Sequence, residues 1–351
     1  MKRKIILTAL ALTTAALMLS CAKKNTGVST NESVKRYLDA WIDLQKQTQS
    51  GYLWEKTPLG SYILEKSGGD GIPTGDSDNI PFARVHLTMF DLSGNVVSSS
   101  TEFWAKRLGY YNQGNSYDPI VVRRGSGSMA PGIDEIISMM SSGQKVKLLI
   151  PGWLVADDNN YPRYASADEY YKNCTGTTSI IEIELAEGIK DLEAFQLKQI
   201  TSFLSNKYGK TLSPGDSSGM HGFYYVQLKA PSDTSDLNST SSGTVNYTGM
   251  LTTSRVFDTT IEDIAKENHI YNANSEYSPV SITWAENYKD ITMGESSTPI
   301  TGFQFALHKM RKGEKGVAVF TSDLGYGSVS PSGRIPQYSP LAFELEVVNV
   351  N

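Results

Sequence analysis

The sequence predicts an α+β fold in which one antiparallel module is used twice, each copy preceded by an extra helix. Residues 29–47 place apolar side chains at helical spacing, and residues 191–209 repeat that pattern about 160 positions later. Short strand candidates and one short helix follow each long helix. This mixture of elements argues for two antiparallel α+β domains.

Length and charge agree with this organisation. A chain of 351 residues favours two domains, and its 39% hydrophobic and 20% charged residues are typical of a globular protein. The 32 basic and 37 acidic residues give a net charge of −5, and no cluster of Lys and Arg resembles a nucleic-acid footprint. Nucleic-acid binding is therefore excluded from the candidate functions.

The repeat can be followed from element to element. Ser29 and Glu32 have the spacing of a capping box at the start of the first helix. The expected helical faces comprise Val34, Tyr37, Leu38, Trp41 and Ile42 in the first copy, and Leu192, Phe195, Ile200, Phe203 and Leu204 in the second. The matching strand and helix segments are 60–66 with 222–229, 84–100 with 244–260, 131–151 with 301–321, and 180–185 with 342–347. We therefore define a first module, residues 31–188, and a second module, residues 189–351.

The N-terminus predicts export. Basic residues at positions 2–4 precede an apolar run that ends at Ser20, and this run is short for a membrane-spanning helix. The segment 18-MLSC-21 resembles a bacterial lipobox, which implies a signal peptide over residues 1–21, a lipidated Cys21 and a tether over residues 22–30. An uncleaved membrane anchor is the alternative. The resemblance places the protein in the cell envelope, held by lipid on a bacterial membrane, with the outer membrane preferred.

Familiar catalytic patterns give little support to other chemistry. If Cys21 carries lipid, Cys174 is alone, and a structural or surface thiol is favoured over a catalytic one. The run 215-GDSSG-219 fits the letters of a nucleophile elbow, but the expected strand and helix stand in the reverse order. The four histidines show no metal-ligand spacing, and the Gly-rich segment 125–132 lacks the following Lys of a phosphate loop. We expect no metal and no cofactor.

Six separated motifs stand out in the second module. These motifs are 246-NYTGML-251, 256-VFD-258, 299-PITGFQFALHKMRKGEK-315, 323-DLGYG-327, 335-IP-336 and 341-LAFELEV-347. In composition and order they closely resemble the FKBP-type peptidyl-prolyl cis-trans isomerases, and the resemblance covers residues 222–348. It implies a twisted antiparallel sheet wrapped around one short helix, with a substrate pocket between them.

The resemblance also implies roles for residues of the pocket walls. Tyr247 matches the tyrosine at the pocket edge, and Phe257 matches an aromatic wall. Asp258 matches the aspartate beside the bound prolyl carbonyl. Phe303 stands where the family usually has Trp as the pocket floor, which implies a smaller floor and weaker binding of macrolide immunophilin ligands.

Four further positions complete the implied site. Ile300 matches the position whose backbone amide receives a peptide carbonyl. Tyr326 matches a loop tyrosine whose hydroxyl donates to the substrate, and Ile335 matches a loop aliphatic residue. Phe343 matches the aromatic residue of the last strand. The resemblance thus assigns catalysis to Asp258 and Tyr326, and substrate binding to the other six positions.

The implied reaction suits such a pocket. Rotation about a peptide bond faces a barrier of about 18–20 kcal/mol that amide resonance sets. No bond breaks, so aromatic walls and well-placed donors can favour the twisted geometry without a nucleophile or metal. The alternative interpretation is that Phe257, Phe303 and Phe343 simply form core.

Departures from the family pattern limit this expectation. The loop over residues 259–298 is long, and residues 284–297 resemble an added excursion. Val280 stands where the family often has Phe, and Pro331 stands where a loop His is common. Activity is therefore expected to be modest or tuned to a particular partner.

The first module keeps the apolar character of this pattern but loses the pocket chemistry. Leu87, Val97, Ser98 and Ile133 stand at the positions that match Tyr247, Phe257, Asp258 and Phe303, and Ile181 and about Ala156 match Phe343 and Tyr326. We expect a non-catalytic FKBP-like module. Its segment 102–119 carries five aromatic residues, which either form a binding surface or pack on the sheet.

The expected function is a lipid-anchored prolyl isomerase and folding helper whose partners are proline-containing polypeptides of the envelope or exported proteins. A non-catalytic chaperone or protein-binding lipoprotein is the main alternative. A structural lipoprotein that scaffolds an envelope complex is a third.

Overall fold

The structure of the first module begins with a long helix and continues into short strands. The computed structural model describes residues 30–125, 127–155, 163–233, 235, 237 and 241–350, so Cys21 and the predicted leader lie outside the described residues. The elements of this part are α1 (Thr30–Thr48), β1 (Glu55–Lys56), β2 (Tyr62–Ser67), β3 (Phe82–Phe90), β4 (Val96–Ser99), α2 (Glu102–Leu108), β5 (Ile120–Arg123), α3 (Pro131–Met139), β6 (Lys145–Ile150), α4 (Ala167–Asn173) and β7 (Ser179–Ile189).

The second module repeats this succession. Asp191 caps α5 by accepting a hydrogen bond from the amide of Ala194, and Gly209 ends the helix in the left-handed conformation. The elements are α5 (Leu192–Tyr208), β8 (Phe223–Lys229), β9 (Ser242–Leu251), β10 (Val256–Thr259), α6 (Glu262–Glu267), β11 (Val280–Thr283), β12 (Thr292–Met293), α7 (Thr301–Lys309), β13 (Lys315–Phe320) and β14 (Leu341–Val350). Each predicted long helix is present to within two residues of its expected bounds.

The two sheets have the same strand order, and every pairing is antiparallel. The first sheet runs β2-β6-β7-β3-β4 with β1 outside β2 and with β5 on β3. The second runs β8-β13-β14-β9-β11 with β12 outside β11 and with β10 on β9. Strands β2, β6, β7 and β3 therefore correspond to β8, β13, β14 and β9. The predicted fold class, α+β with antiparallel sheets, is confirmed.

The core of the second module occupies both faces of its sheet. On one face α7 packs Phe303, Ala306 and Leu307 against the inward side chains of β14. On the other face α5 packs Ile200 and Phe203 against the outward side chains. Alternation along β14 makes this possible, because successive strand residues point to opposite faces.

The segment 284–297, which the sequence predicts to be an added excursion, packs against the core. Trp284 and Ile291 are 1% and 0% exposed. Trp284 Nε1 donates to the carbonyl of Leu307 at 3.1 Å, and Gln304 Nε2 donates to the carbonyls of Lys289 and Ile291 at 2.9 Å. These contacts tie the segment to α7, so it forms part of the core.

Two other sequence features are now placed. Cys174 is buried beside the start of α1, where Asn31 Nδ2 donates to its carbonyl at 2.6 Å. Along the part of the chain that the structure describes, no helix combines the length and apolar character needed to cross a membrane.

Candidate active site of the second module

Three phenylalanine rings from three elements form the centre of the candidate site. Phe257 comes from β10, Phe303 from α7 and Phe343 from β14. The ring centroids of Phe303 and Phe343 are 5.0 Å apart at 84°, and those of Phe257 and Phe343 are 5.6 Å apart at 80°. Such edge-to-face pairs add about 0.5–1.5 kcal/mol each beyond burial. The three rings are only 4–5% exposed, so they form part of the core as well as the predicted pocket wall.

A glycine in β9 makes room for this cluster. Gly249 pairs with Phe343 on β14 and with Asp258 on β10. A Cβ atom at Gly249 would lie 2.5 Å from the Phe257 ring and 3.0 Å from the Phe343 ring. The irregular pairing between Val256 and Asp258 places Phe257 above this gap. Sequence reasoning missed Gly249, although its position inside a strand pattern was a signal of close approach.

Two polar side chains stand next to the aromatic cluster. Tyr247 Oη donates to Asp258 Oδ2 at 2.6 Å, and the Tyr247 ring meets the Phe303 ring edge-on at 5.6 Å. Burial raises the pKa of Tyr247 well above its ordinary value, and the charge of Asp258 and the hydrogen bond to it act in the same direction. The Tyr247 hydroxyl is therefore a donor throughout the physiological pH range. Asp258 itself is exposed, and its Oδ1 accepts from the amide of Thr259 at 3.0 Å.

A long loop between β13 and β14 brings two more predicted residues to the cluster. We call residues 322–340 the rim loop. Tyr326 is half-buried against the cluster, and Ile335 is 6% exposed within it. Burial raises the pKa of Tyr326, and the nearby charge of Asp258 raises it further. Arg334 Nη1 also donates to the carbonyl of Phe257 at 3.1 Å, which fastens the loop to β10.

Ile300 stands at the N-cap of α7. Its carbonyl accepts hydrogen bonds from the amides of Phe303 at 3.0 Å and Gln304 at 3.1 Å, and its side chain packs on the aromatic cluster. The structure thus places the eight predicted site residues around one cluster. Their roles in binding and catalysis stay predictions.

Helix α5 holds both ends of the rim loop through one side chain that sequence reasoning missed. Gln196 is 2% exposed. Its Oε1 accepts from the amide of Ser322, and its Nε2 donates to Ser322 Oγ and to the carbonyl of Tyr338, each at 2.9 Å. A buried amide that makes three hydrogen bonds is well satisfied. The available signal was a polar residue directly before Leu197, within an apolar helix face.

In the first module, the positions that correspond to the candidate site have the same strand pairing but different side chains. Leu87 pairs with Ile183 as Tyr247 pairs with Leu345, and Met89 pairs with both Ile181 and Ser98 as Gly249 pairs with both Phe343 and Asp258. Val97 sits at the irregularity that Phe257 occupies in β10, yet its side chain is 65% exposed. Ala156, the approximate match for Tyr326, lies outside the described residues.

The arrangement in the second module suits an apolar ring beside a polar carbonyl. Aromatic faces and edges contact apolar groups, while the Tyr247 and Tyr326 hydroxyls stay protonated beside a carboxylate. Such a site can desolvate an amide and offer it hydrogen bonds, which favours a twisted peptide bond over a planar one.

Residues 234–348 match the sequence profile of one family, described as FKBP_C: FKBP-type peptidyl-prolyl cis-trans isomerase. The second module therefore carries an FKBP-type peptidyl-prolyl cis-trans isomerase domain. This match confirms the predicted enzyme class. No curated protein sequence matches the chain.

Three solved structures are among those that resemble this chain. A structure of the three FKBP domains of wheat FKBP73 is 18% identical, with 87% of this chain and 97% of that chain covered and a TM-score of 0.29. A peptidyl-prolyl cis-trans isomerase from Pseudomonas syringae pv. tomato is 22% identical, with 47% and 99% covered and a TM-score of 0.30. FkpA from Escherichia coli is 20% identical, with 46% and 62% covered and a TM-score of 0.30. The assignment of residues 234–348 to an FKBP-type domain rests on the sequence match alone.

Proposed function

We propose that the second module catalyses cis-trans isomerisation of X-Pro bonds and that the first module does not. The observation that carries this proposal is the hydrogen-bonded pair Tyr247–Asp258 at the aromatic cluster, against which Tyr326 also packs. In the first module Leu87 and Ser98 occupy the registers of Tyr247 and Asp258. Among the described residues, the Tyr–Asp pair that this proposal uses is therefore present in the second module and has no counterpart in the first.

In this proposal each group of the candidate site has a separate role in binding or catalysis. The proline ring binds among the rings of Phe257, Phe303 and Phe343 and the side chain of Ile335. The amide of Ile300 donates a hydrogen bond to a peptide carbonyl. The Tyr326 hydroxyl donates to the substrate. As the X-Pro bond twists, its resonance is lost, and the carbonyl leaves water for a site beside Asp258. Stabilisation of this twisted state over both planar isomers accelerates exchange that otherwise takes tens of seconds or more.

The catalytic proposal is tested with a protease-coupled isomerisation assay on residues 22–351. The double variant Asp258→Ala with Tyr326→Phe is expected to lose about tenfold or more in kcat/KM, because one lost hydrogen bond of about 1 kcal/mol costs about fivefold and two groups are removed. The matched control is Ser98→Ala in the first module, at the position that corresponds to Asp258, and it is expected to leave kcat/KM unchanged. Loss of activity in the control with retention in the double variant would overturn the assignment.

The cellular setting is a further part of the proposal. The basic start, the apolar run and the lipobox-like 18-MLSC-21 support a lipid-anchored envelope protein, preferably of the outer membrane, that acts on proline-containing segments of envelope or exported proteins. Labelled palmitate is expected to enter the wild-type protein and not the Cys21→Ala variant. Equal labelling of both would remove the anchor from this account. Macrolide immunophilin ligands are expected to bind weakly, because Phe303 replaces a larger floor residue.

A holding chaperone is the second candidate, and exposed aromatic residues favour it. Phe103, Tyr110 and Tyr111 on the first module are 59%, 47% and 37% exposed. If this surface binds unfolded chains, suppression of aggregation will persist in the Asp258→Ala with Tyr326→Phe variant and fall when Phe103 and Tyr110 become Ser. If both activities fall together in the catalytic variant, the second module performs both.

A further inference from the structure

The first module retains a cavity where the second module has its candidate site. This cavity has a volume of about 320 Å³, and its walls include Leu87, Ala130 and Ile133. Leu87 has the register of Tyr247. Ala130 caps α3 as Ile300 caps α7, and Ile133 occupies the position of Phe303 on its helix.

Two residues of this wall come from the second module. Gln337 and Tyr338 of the rim loop close one side of the cavity. The Tyr338 ring meets Phe82 edge-on, with centroids 5.3 Å apart at 76°. Gln337 Nε2 donates to the carbonyl of Val121 on β5 at 2.8 Å. The contacts are thus both apolar and directional, and both fall on the loop that carries Tyr326.

Further contacts between the two modules lie beside those of Gln337 and Tyr338. The amide of Ser116 donates to the carbonyl of Gly333 at 3.0 Å, and a Cβ atom at Gly333 would lie 2.7 Å from the Asn115 side chain. Arg255 Nη1 donates to the carbonyl of Gln113 at 3.1 Å on the neighbouring β9–β10 turn. The segment that follows α2 therefore contacts the rim loop and the strand pair that bears Phe257 and Asp258.

The backbone of Tyr338 belongs firmly to the second module. Its φ is +57°, in the left-handed region that is unfavourable for a non-glycine residue. Its amide donates to the carbonyl of Gly327 at 2.7 Å, and its carbonyl accepts from Gln196 Nε2. The second module thus holds the backbone of Tyr338 in an unfavourable conformation, and the side chain of Tyr338 lies against the first module.

We propose that the vestigial pocket of the first module is an internal docking site for Tyr338, through which the first module holds the rim loop in position for catalysis. Tyr338 is a positioning residue, and Gln337 assists it. The kinetic part of this inference rests on the proposed function of Tyr326 and Ile335, whereas the docking itself does not. It gives the first module a task in the reaction without any catalytic group of its own.

The docking is tested in the full chain by hydrogen exchange of the rim loop. Phe82→Ala lies in the first module, away from the candidate site, and removes the partner of the Tyr338 ring. We expect exchange of rim-loop amides to rise about fivefold or more in Phe82→Ala and in Tyr338→Ala, because a coupling of 1 kcal/mol or more changes local opening by that factor. Tyr338→Phe keeps the ring contact and is expected to exchange as the wild type does.

Kinetics then separate positioning from general stability. Phe82→Ala and Tyr338→Ala are expected to lower kcat/KM about fivefold, and their combination is expected to cost little more than either alone, since both break one contact. Tyr338→Phe, which keeps the ring contact, is expected to have the kcat/KM of the wild type. If Tyr338→Ala fails to fold, Phe82→Ala and Gln337→Ala give the same comparison.

The outcomes distinguish this inference from the proposed function. Rim-loop exchange unchanged in Phe82→Ala would overturn the docking, whatever the activity. A wild-type protein without isomerase activity would overturn the proposed function, while increased exchange in Phe82→Ala would still support the docking. Fully additive losses in the double variant would also contradict a shared contact.

Discussion

The two modules share strand order and register, yet they differ at the positions that line the pocket. Tyr247, Gly249 and Asp258 in the second module correspond to Leu87, Met89 and Ser98 in the first. The replacements keep the sheet intact, because backbone pairing does not depend on these side chains. The same strand order and register thus accept side chains of different chemistry at these three positions.

A second difference concerns the residue that directly follows β5 in the first module and β11 in the second, which are Arg124 and Trp284. The amide of Arg124 donates to the carbonyl of Pro81 at 2.8 Å, and the amide of Trp284 donates to that of Ser241 at 3.0 Å, so the backbones correspond. The Arg124 side chain is fully buried and pairs with Asp134 at 2.9 Å, whereas the Trp284 side chain is buried among apolar groups. One module fills this position with a charge and the other with an aromatic ring.

The largest expected effect on stability comes from removing the side chain of Trp284. Trp284→Ala removes a buried indole and leaves the Leu307 carbonyl without its donor, so we expect a loss of about 3–5 kcal/mol in unfolding free energy. Urea denaturation of residues 22–351 measures it. Tyr271→Ala, at a ring that is 45% exposed, is the matched control with little expected change. A loss below about 1 kcal/mol for Trp284→Ala would contradict its place in the core.

The corresponding change in the first module should cost nearly as much for a different reason. Arg124→Ala leaves Asp134 short of its buried partner, and also leaves the carbonyls of Gly75 and Ile80 without the guanidinium. We expect a loss of about 3 kcal/mol, which urea denaturation again reports. Arg84→Ala, which breaks a half-exposed pair with Glu187, is expected to cost less than about 1 kcal/mol. Equal losses from both variants would argue against a special role of burial.

Gly249→Ala should damage the site of the second module with a smaller cost in stability. The added methyl meets the Phe257 ring, and overpacking of this kind costs about 1–3 kcal/mol. Because the Phe257 ring must move, we expect kcat/KM for an X-Pro peptide to fall about tenfold in the coupled assay. Met89→Leu at the corresponding position of the first module should leave kcat/KM unchanged. Full activity in Gly249→Ala would show that the ring positions do not matter.

The smallest expected effect is that of alkaline pH. The pKa values of Tyr247 and Tyr326 are raised, so both hydroxyls stay protonated beyond the ordinary tyrosine value of about 10. The protonated form is the one the fold favours, so its contribution to stability is complete below pH of about 10 and is lost only as pH rises through the raised values. We expect kcat/KM to vary less than about twofold between pH 7 and 9.5. A fall with a midpoint near pH 9 would contradict the assigned environments.

The repeat and the eight residues around the aromatic cluster could be predicted because they depend on local sequence signals. Alternation set the faces of β14, helical spacing set α1 and α5, and separated motifs named Tyr247 and Tyr326. A further repeat in the sequence was missed. Segments 111-YNQGNSYDP-119 and 271-YNANSEYSP-279 each stack two tyrosines, at 5.5 Å and 5.4 Å, and each bonds an Asn amide to the second tyrosine hydroxyl.

Contacts between distant parts of the chain could not be predicted in the same way. Gln196 looked like an ordinary helix residue, because its partners Ser322 and Tyr338 are more than 120 positions away. Trp284 resembled part of an insertion because only the folded structure shows the space it fills. Tyr338 gave no signal, since its contact with Phe82 depends on how the two modules pack.

The central claim is that substrate binds in the second module and not in the first, and peptide titration followed by NMR tests it most directly. Residues 22–351, labelled at backbone amides, are titrated with a short X-Pro peptide. The account predicts shifts in the amides of Asp258, Ile300 and Tyr326, while those of Ser98 and Ala130 stay in place. Shifts at Ser98 and Ala130 without shifts at Asp258 and Tyr326 would contradict it.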